Sequence, residues 1–296
     1  MNDRISNPMM SPAPILVTGG TGTLGRLVVP RLRDAGCDVR VLSRRGREGG
    51  KAIKEGEAGI QFVAGDLATG EGIEAAVEDT EIIMHLGGSA KGDEEKARHL
   101  VQAATRAGVR HLVYISVVGA DRIPVVSGID RAMFGYFASK LAAERIVADS
   151  GLPWTTLHAT QFHDLLFKTV EQMAKLPVIP VPAGFRFQPI DPGEVATRLV
   201  DLALDTPAGP VPDMGGPRVY VMAELVRSYL RTSHQHRPIM PIWLPGKAAR
   251  AFRAGANLAP DQAVGRRTWE EFLAERVISW RDSSSDPTLR PARGGD

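Results

Sequence analysis

The sequence predicts a doubly wound α/β fold, a parallel sheet covered by helices on both faces. Two observations predict it. Short apolar runs rich in β-branched residues alternate with helix-patterned stretches along most of the chain. The first such run, residues 15–18, breaks directly into glycines that open a helix. Strand-like runs follow at 38–42, 61–64, 82–86, 111–115, 155–158, 189–191 and 218–221, with helical patterns at 94–107, 135–149 and 192–204 between them. Pro30 falls inside the first helix, where a kink is expected. Beyond about residue 161 the rhythm changes. Segments 175–187 and 237–246 are studded with proline, which rules out long helices and central strands and suggests covering loops. Thr268 and Glu271 have capping-box spacing ahead of a helix over 268–280 whose Trp269, Phe272, Leu273 and Val277 share a core-facing side.

The turn after the first strand reads T-G-G-T-G-T-L-G at 18–25. Glycines there remove Cβ atoms where a pyrophosphate must lie against bare backbone, and the amides of the following helix point at the charge. Two spacings overlap, Gly19/Gly22/Gly25 and Gly20/Gly22/Gly25, with Thr21, Thr23 and Leu24 completing the cradle. A dinucleotide is the expected ligand. At the end of the second strand a carboxylate would select NAD; here Ser43 is followed by Arg44 and Arg45, with Arg47 and Lys51 nearby. Guanidinium groups suit a phosphate, so NADP(H) is favoured over NAD(H). Asp66, with Leu67, follows the third strand and is placed to accept from an adenine amino group. The Leu86-Gly87-Gly88 turn after the fourth lets the backbone approach the cofactor.

Tyr136 and Lys140 stand four apart in a helical stretch and so share a face. A neighbouring ammonium stabilises a phenolate, which suits Tyr136 to give a proton to a carbonyl oxygen. Ser116 ends the fifth strand at the edge where open α/β sheets bind ligands, and its hydroxyl is placed to polarise the same oxygen.

The glycine turn, G-D-L at 65–67, Ser116 and Y-x-x-x-K at 136–140, with S-V-V-G-A-D at 116–121 and A-T-Q-F at 159–162, resemble the short-chain dehydrogenase/reductase superfamily. The chain is most similar to its atypical or extended branch, the NmrA-like NAD(P)-binding proteins, over about residues 14–280, most strongly in the first half. The resemblance implies a Rossmann core with a seven-stranded parallel sheet, a hydride-transferring nicotinamide and a Ser116/Tyr136/Lys140 catalytic set. Two departures stand out. The fourth-strand Asn-Asn-Ala-Gly of typical members is His85-Leu86-Gly87-Gly88 here, and Ala159-Thr160 replaces the Pro-Gly that helps hold the nicotinamide amide. Gln161, Phe162 and His163, just beyond, are candidate substrate-pocket residues, although His163 reads more readily as a structural histidine.

Charge excludes other classes. Lys and Arg total 36 against 34 Asp and Glu, a net charge of +2 that draws the chain to neither nucleic acid nor membrane. One cysteine, Cys37, allows no internal disulfide and reads as small apolar filler. No histidine spacing suits a metal, and no leader or span is evident, so a cytoplasmic location is expected. The expected organisation is a flexible tail at 1–12, a Rossmann core at 13–161, a small, mostly substrate-covering region at 162–281 with late strands returning to the sheet, and a flexible tail at 282–296. The expected activity is NADPH-dependent reduction of a small apolar carbonyl, enone or quinone, with a homodimer implied by relatives. A non-catalytic NADP(H) redox sensor and a nucleotide-sugar epimerase or dehydratase are the alternatives that the resemblance also admits.

Overall fold

The computed structural model describes residues 13–44, 59–88 and 92–276. Arg45, Arg47, Lys51, Val277 and both expected tails lie outside them. In chain order the first elements are β1 (Ile15–Thr18), α1 (Gly25–Asp34), β2 (Val39–Ser43), β3 (Ile60–Ala64), α2 (Ile73–Val77), β4 (Ile82–His85) and α3 (Asp93–Arg106). Then come β5 (His111–Val117), α4 (Gly128–Ala148), β6 (Trp154–Ala159), α5 (His163–Met173), β7 (Ile179–Pro182), β8 (Arg186–Phe187) and α6 (Pro192–Leu204). Last are β9 (Gly209–Pro210), β10 (Tyr220–Val221), α7 (Met222–Thr232), β11 (Ile239–Ile242) and α8 (Lys247–Ala254), with residues 269–276 helical at the end.

The chain forms two compact units. One takes described residues from 1–115, 142–156 and 196–211, the other from 116–141, 157–195 and 212–296. The seven-stranded sheet runs β3-β2-β1-β4-β5-β6-β9. β1 pairs in parallel with both β2 and β4, so Thr18 at its end lies level with Leu42 and His85. The strand order reverses between β1 and β4, which opens a crevice at the carboxyl ends of these strands, where open α/β sheets take their ligands. The first unit's core is Leu16, Ile83, Leu112 and Tyr114 packed with Leu100 and Val147. Each such side chain contributes about 1.5–3 kcal/mol on burial. Pro30 does not end α1, which runs on to Asp34 with the proline inside it.

The second unit has two apolar clusters. One joins Leu166, Val170, Ile179, Tyr220, Leu225, Trp269 and Phe272. The other joins Val117, Ile123, Phe134, Phe137, Phe185 and Phe252.

Several expected elements change here. Residues 189–191 form no strand, only a bridge between Ile190 and Phe162; the last sheet strand is β9, a Gly-Pro pair that an edge tolerates. The strand expected at 218–221 shortens to β10, which pairs antiparallel with β8 outside the large sheet. The proline-rich segments are not only loops, since β7 and β11 pair in parallel, Ile179 opposite Ile239. A two-stranded ladder has an open edge on each strand, so prolines that would break a central strand fit. The helix expected from 135 begins at Gly128, and α5 falls in a stretch where no helix was expected. The capping box at the final helix is present, Thr268 Oγ1 accepting from the Glu271 amide at 3.3 Å and the Glu271 carboxylate from the Thr268 amide at 2.8 Å.

Candidate cofactor and catalytic sites

In the first unit the glycine turn is built at the end of β1. Gly19 has φ +72°, and a Cβ there would lie 2.6 Å from the Gly87 amide nitrogen. A Cβ on Gly25 would strike the Gly19 carbonyl oxygen and the Gly20 backbone. Gly20 packs its open side against the Val41 side chain, so within this turn Gly19 and Gly25 are the positions where close backbone, not a yielding side chain, forbids a substituent. Arg26 Nε donates to the Thr21 carbonyl at 2.8 Å and Gly22 N to the Gly19 carbonyl at 3.0 Å, closing the turn. No side chain caps α1, its first turn holds no acid, and the amides of Thr23, Leu24 and Gly25 reach no acceptor among the described residues. An uncapped helix start free of negative charge is a fit for a pyrophosphate.

Around the turn, Ser43 is buried at the end of β2 and Arg44 next to it is exposed. Asp66 spends one carboxylate oxygen on the Ala68 amide, 2.9 Å away, which shapes its own loop. Leu67 is buried, and its carbonyl lies 2.8 Å from His99 Nδ1. The Leu86 amide donates to the Thr18 carbonyl, so Gly87 and Gly88 leave β4 directly alongside the glycine turn. His85, in the place of the family's asparagine, is wholly buried, 2.6 Å from Thr18 Oγ1 through Nδ1 and stacked on Tyr114 at 5.3 Å. The sequence signalled that departure but not the Thr18–His85–Tyr114 contact.

In the second unit Ser116 is buried near the end of β5. On α4, Tyr136 is 37% exposed while Lys140 is only 3% exposed, and Lys140 Nζ lies 5.9 Å from the centre of the Tyr136 ring. The two lie on one face of α4, the ammonium buried and the phenol accessible. Ser127 and Asp130 cap the start of this helix. Ser127 Oγ accepts from the Asp130 amide at 3.0 Å, and Asp130 accepts from the Ser127 amide at 3.1 Å and the Ala248 amide at 3.3 Å. Burial alone would raise the Asp130 pKa, but these hydrogen bonds outweigh it and hold the carboxyl below its ordinary value.

The residues after β6 are tied into a buried hydrogen-bond network. Thr160 Oγ1 donates to the Gln188 carbonyl at 2.5 Å and accepts from the Gly216 amide at 3.3 Å. Gln161 donates to the Asn257 carbonyl at 3.3 Å and accepts from the Gln188 amide at 3.4 Å. Gln188, which no sequence signal marked, is the hub, its side chain bonded to both backbone groups of Ala259 and to the Gly216 carbonyl. Ala159 is buried, its carbonyl accepting from the Val118 amide. Phe162 is the N-cap residue of α5. His163 sits inside the apolar packing of the second unit. It is fully buried, its ring is 5.0 Å from Phe272 and 6.2 Å from Trp269, and neither nitrogen meets a hydrogen-bond partner among the described residues. Burial pushes its pKa down to about 4, against the opposing pull of Asp191. Among the described residues no cluster of His, Cys, Asp or Glu is placed to hold a metal, and no helix is long and apolar enough to cross a membrane.

Comparison with known proteins adds to this geometry. A family model described as NAD(P)H-binding matches residues 19–176. The chain is 32% identical over 149 residues to a (4-alkanoyl-5-oxo-2,5-dihydrofuran-3-yl)methyl phosphate reductase of Streptomyces griseus, a match over 50% of this chain and 48% of that protein. It is 29% identical over 156 residues to the photosystem II assembly factor Ycf39 of Synechocystis, over 50% of this chain and 44% of that protein. The chain thus spans about half the length of these curated relatives. Among solved structures, the NADPH-dependent quinone oxidoreductase of Escherichia coli complexed with NADPH superposes with a TM-score of 0.74 at 17% identity, covering 88% of this chain and 99% of that one. At that identity the likeness is one of fold.

Proposed function

We propose that this chain, which belongs to the NAD(P)H-binding family in the extended, NmrA-like branch of the short-chain dehydrogenase/reductase superfamily, is an NADPH-dependent reductase of a small apolar carbonyl, enone or quinone. The observation that carries the reading is the α4 pair, an accessible Tyr136 phenol with the buried Lys140 ammonium 5.9 Å from its ring. A nicotinamide supplies hydride when bound. The chain's own residues do the rest. The uncapped start of α1 holds the pyrophosphate through the amides of Thr23, Leu24 and Gly25. Arg44, with Ser43 in place of a carboxylate, receives the additional phosphate of NADP. Tyr136 gives its hydroxyl proton to the substrate oxygen, Lys140 stabilises the phenolate left behind, and Ser116 steadies that oxygen by a hydrogen bond. An apolar substrate suits α4, where Ile129 and Met133 stand 55% and 45% exposed at helical spacing from Tyr136. The reductase named among the relatives is in keeping with this reading.

The test is loss of the NADPH near-ultraviolet band against a panel of quinones, ketones and enones, for wild type and Tyr136→Phe. Turnover that collapses in the variant supports the reading. Turnover that survives removes Tyr136 as the proton donor. The similarity to an assembly factor favours a second reading, a non-catalytic NADP(H)-binding regulator of a protein partner. It expects cofactor binding by calorimetry with no turnover on any member of the panel, and indifference to Tyr136→Phe.

A further inference from the structure

The end of α7 gathers positive charge that the reductase chemistry does not use. Arg227 and Arg231 stand one turn apart on that helix, and His234, His236 and Arg237 follow on the connection to β11. Together with Leu230 they line an open depression of about 840 Å3, a volume in the range of small-molecule sites. No carboxylate lines it, and none of the three arginines forms an ion pair with a described residue. Arg231 spends one donor on Ser228 Oγ at 3.1 Å and Arg237 one on the His236 carbonyl at 3.4 Å, which leaves most of the guanidinium donors available.

Two explanations short of a ligand fall short. Cations at a helix carboxyl end complement its dipole, but that dipole amounts to about half an elementary charge, against three guanidinium charges. Chance clustering on a loose loop does not fit the backbone. His234 holds φ +53°, the left-handed conformation that commonly closes a helix, and the turn is fixed by Gln235 N donating to the Leu230 carbonyl at 2.9 Å. Beyond this ordered turn His236 and Arg237 line the same depression as Arg227 and Arg231.

We propose that this depression is an anion site, separate from the glycine turn, that binds the diphosphate group of a small molecule. Guanidinium forks from helix and loop suit two linked phosphates better than one, because each fork pairs with the oxygens of one phosphate. The experiment is calorimetric titration of the full chain, pre-saturated with NADP+, with pyrophosphate, and with inorganic phosphate at matched ionic strength. The expected result is one pyrophosphate per chain, bound at least tenfold more tightly than phosphate. In Arg231→Gln/Arg237→Gln that affinity falls at least tenfold, with thermal midpoint and NADP+ affinity unchanged. Because Arg231 lies on the helix, Arg237→Gln alone is the second variant, and it weakens pyrophosphate severalfold without touching α7. Wild type that prefers pyrophosphate no more than phosphate overturns the proposal, and so do variants that bind it as wild type does. Pyrophosphate held at the glycine turn would leave its affinity the same in both variants, which distinguishes that outcome.

Discussion

At Gly19 two demands coincide, a positive φ and a Gly87 backbone too close for a methyl group, whereas Gly36 has φ +82° with nothing near it. Gly36→Ala therefore meets only the conformational cost, about 1–2 kcal/mol. Gly19→Ala adds a backbone collision at the cofactor turn. The expected outcome is a similar or larger loss of stability in chemical denaturation, with dinucleotide affinity lost at Gly19 and kept at Gly36. Arg44 and Ser43 carry the cofactor choice, and Ser43→Asp/Arg44→Ser is expected to move preference from NADPH toward NADH by about tenfold or more, read as the ratio of kcat/KM values. Tyr136→Phe is expected to lower kcat by about 100-fold or more if the phenol is the acid, with NADPH affinity unchanged. Where these residues sit was largely legible in the sequence, because glycines, the missing carboxylate and the tyrosine–lysine spacing each carry a local chemical meaning. Gln188, Thr160 and Gln161 were not. Their roles come from partners far along the chain, such as Gln188 with Ala259 and Gln161 with Asn257, and spacing encodes none of that.

α4 shows how an element can be missed at its beginning. Its start was expected at Gly135, yet Ser127-x-x-Asp130 forms a capping box that starts the helix at Gly128. Asp130 also accepts from Ala248, at the start of α8. Replacing Asp130 by alanine removes acceptors from two helix starts, so a lower thermal midpoint is expected, with reduced turnover because Tyr136 rides on α4. The sign with pH follows from its lowered pKa: the stabilisation is present at neutral pH and disappears as acid protonates the carboxyl, so wild type and variant converge at low pH. Thermal melts across an acid series would check this. Among strands, β1 was placed to the residue because a buried parallel strand is a short apolar run closed by a glycine turn. The β7–β11 ladder left no such mark. Its prolines argue against strands locally, and only the pairing of residues 179–182 with 239–242, far apart in the chain, creates it.

For the whole molecule, the sequence announced the alternating half more clearly than the proline-rich remainder, and the family match over 19–176 covers the same stretch. Each unit holds a buried histidine whose pKa burial lowers, His111 beside Thr155 in one and His163 among aromatics in the other. An unfolded histidine titrates near 6.5, so between there and the lower native value the unfolded state binds more protons. Stability from these groups is therefore complete above about pH 6.5 and is lost as pH falls. For His163 the loss runs down to about pH 4 and is on the order of 3 kcal/mol. His163→Phe keeps a ring in the stack and leaves no nitrogen unsatisfied, and it is expected to raise the thermal midpoint at pH 5 more than at pH 8. Equal shifts at both pH values would refute the histidine's part. Trp269 is stacked beside that same imidazole and wholly shielded from solvent. A protonated imidazole quenches indole emission where a neutral one does so weakly, so the protein carries its own fluorescent reporter, dimming as acid reaches the buried ring.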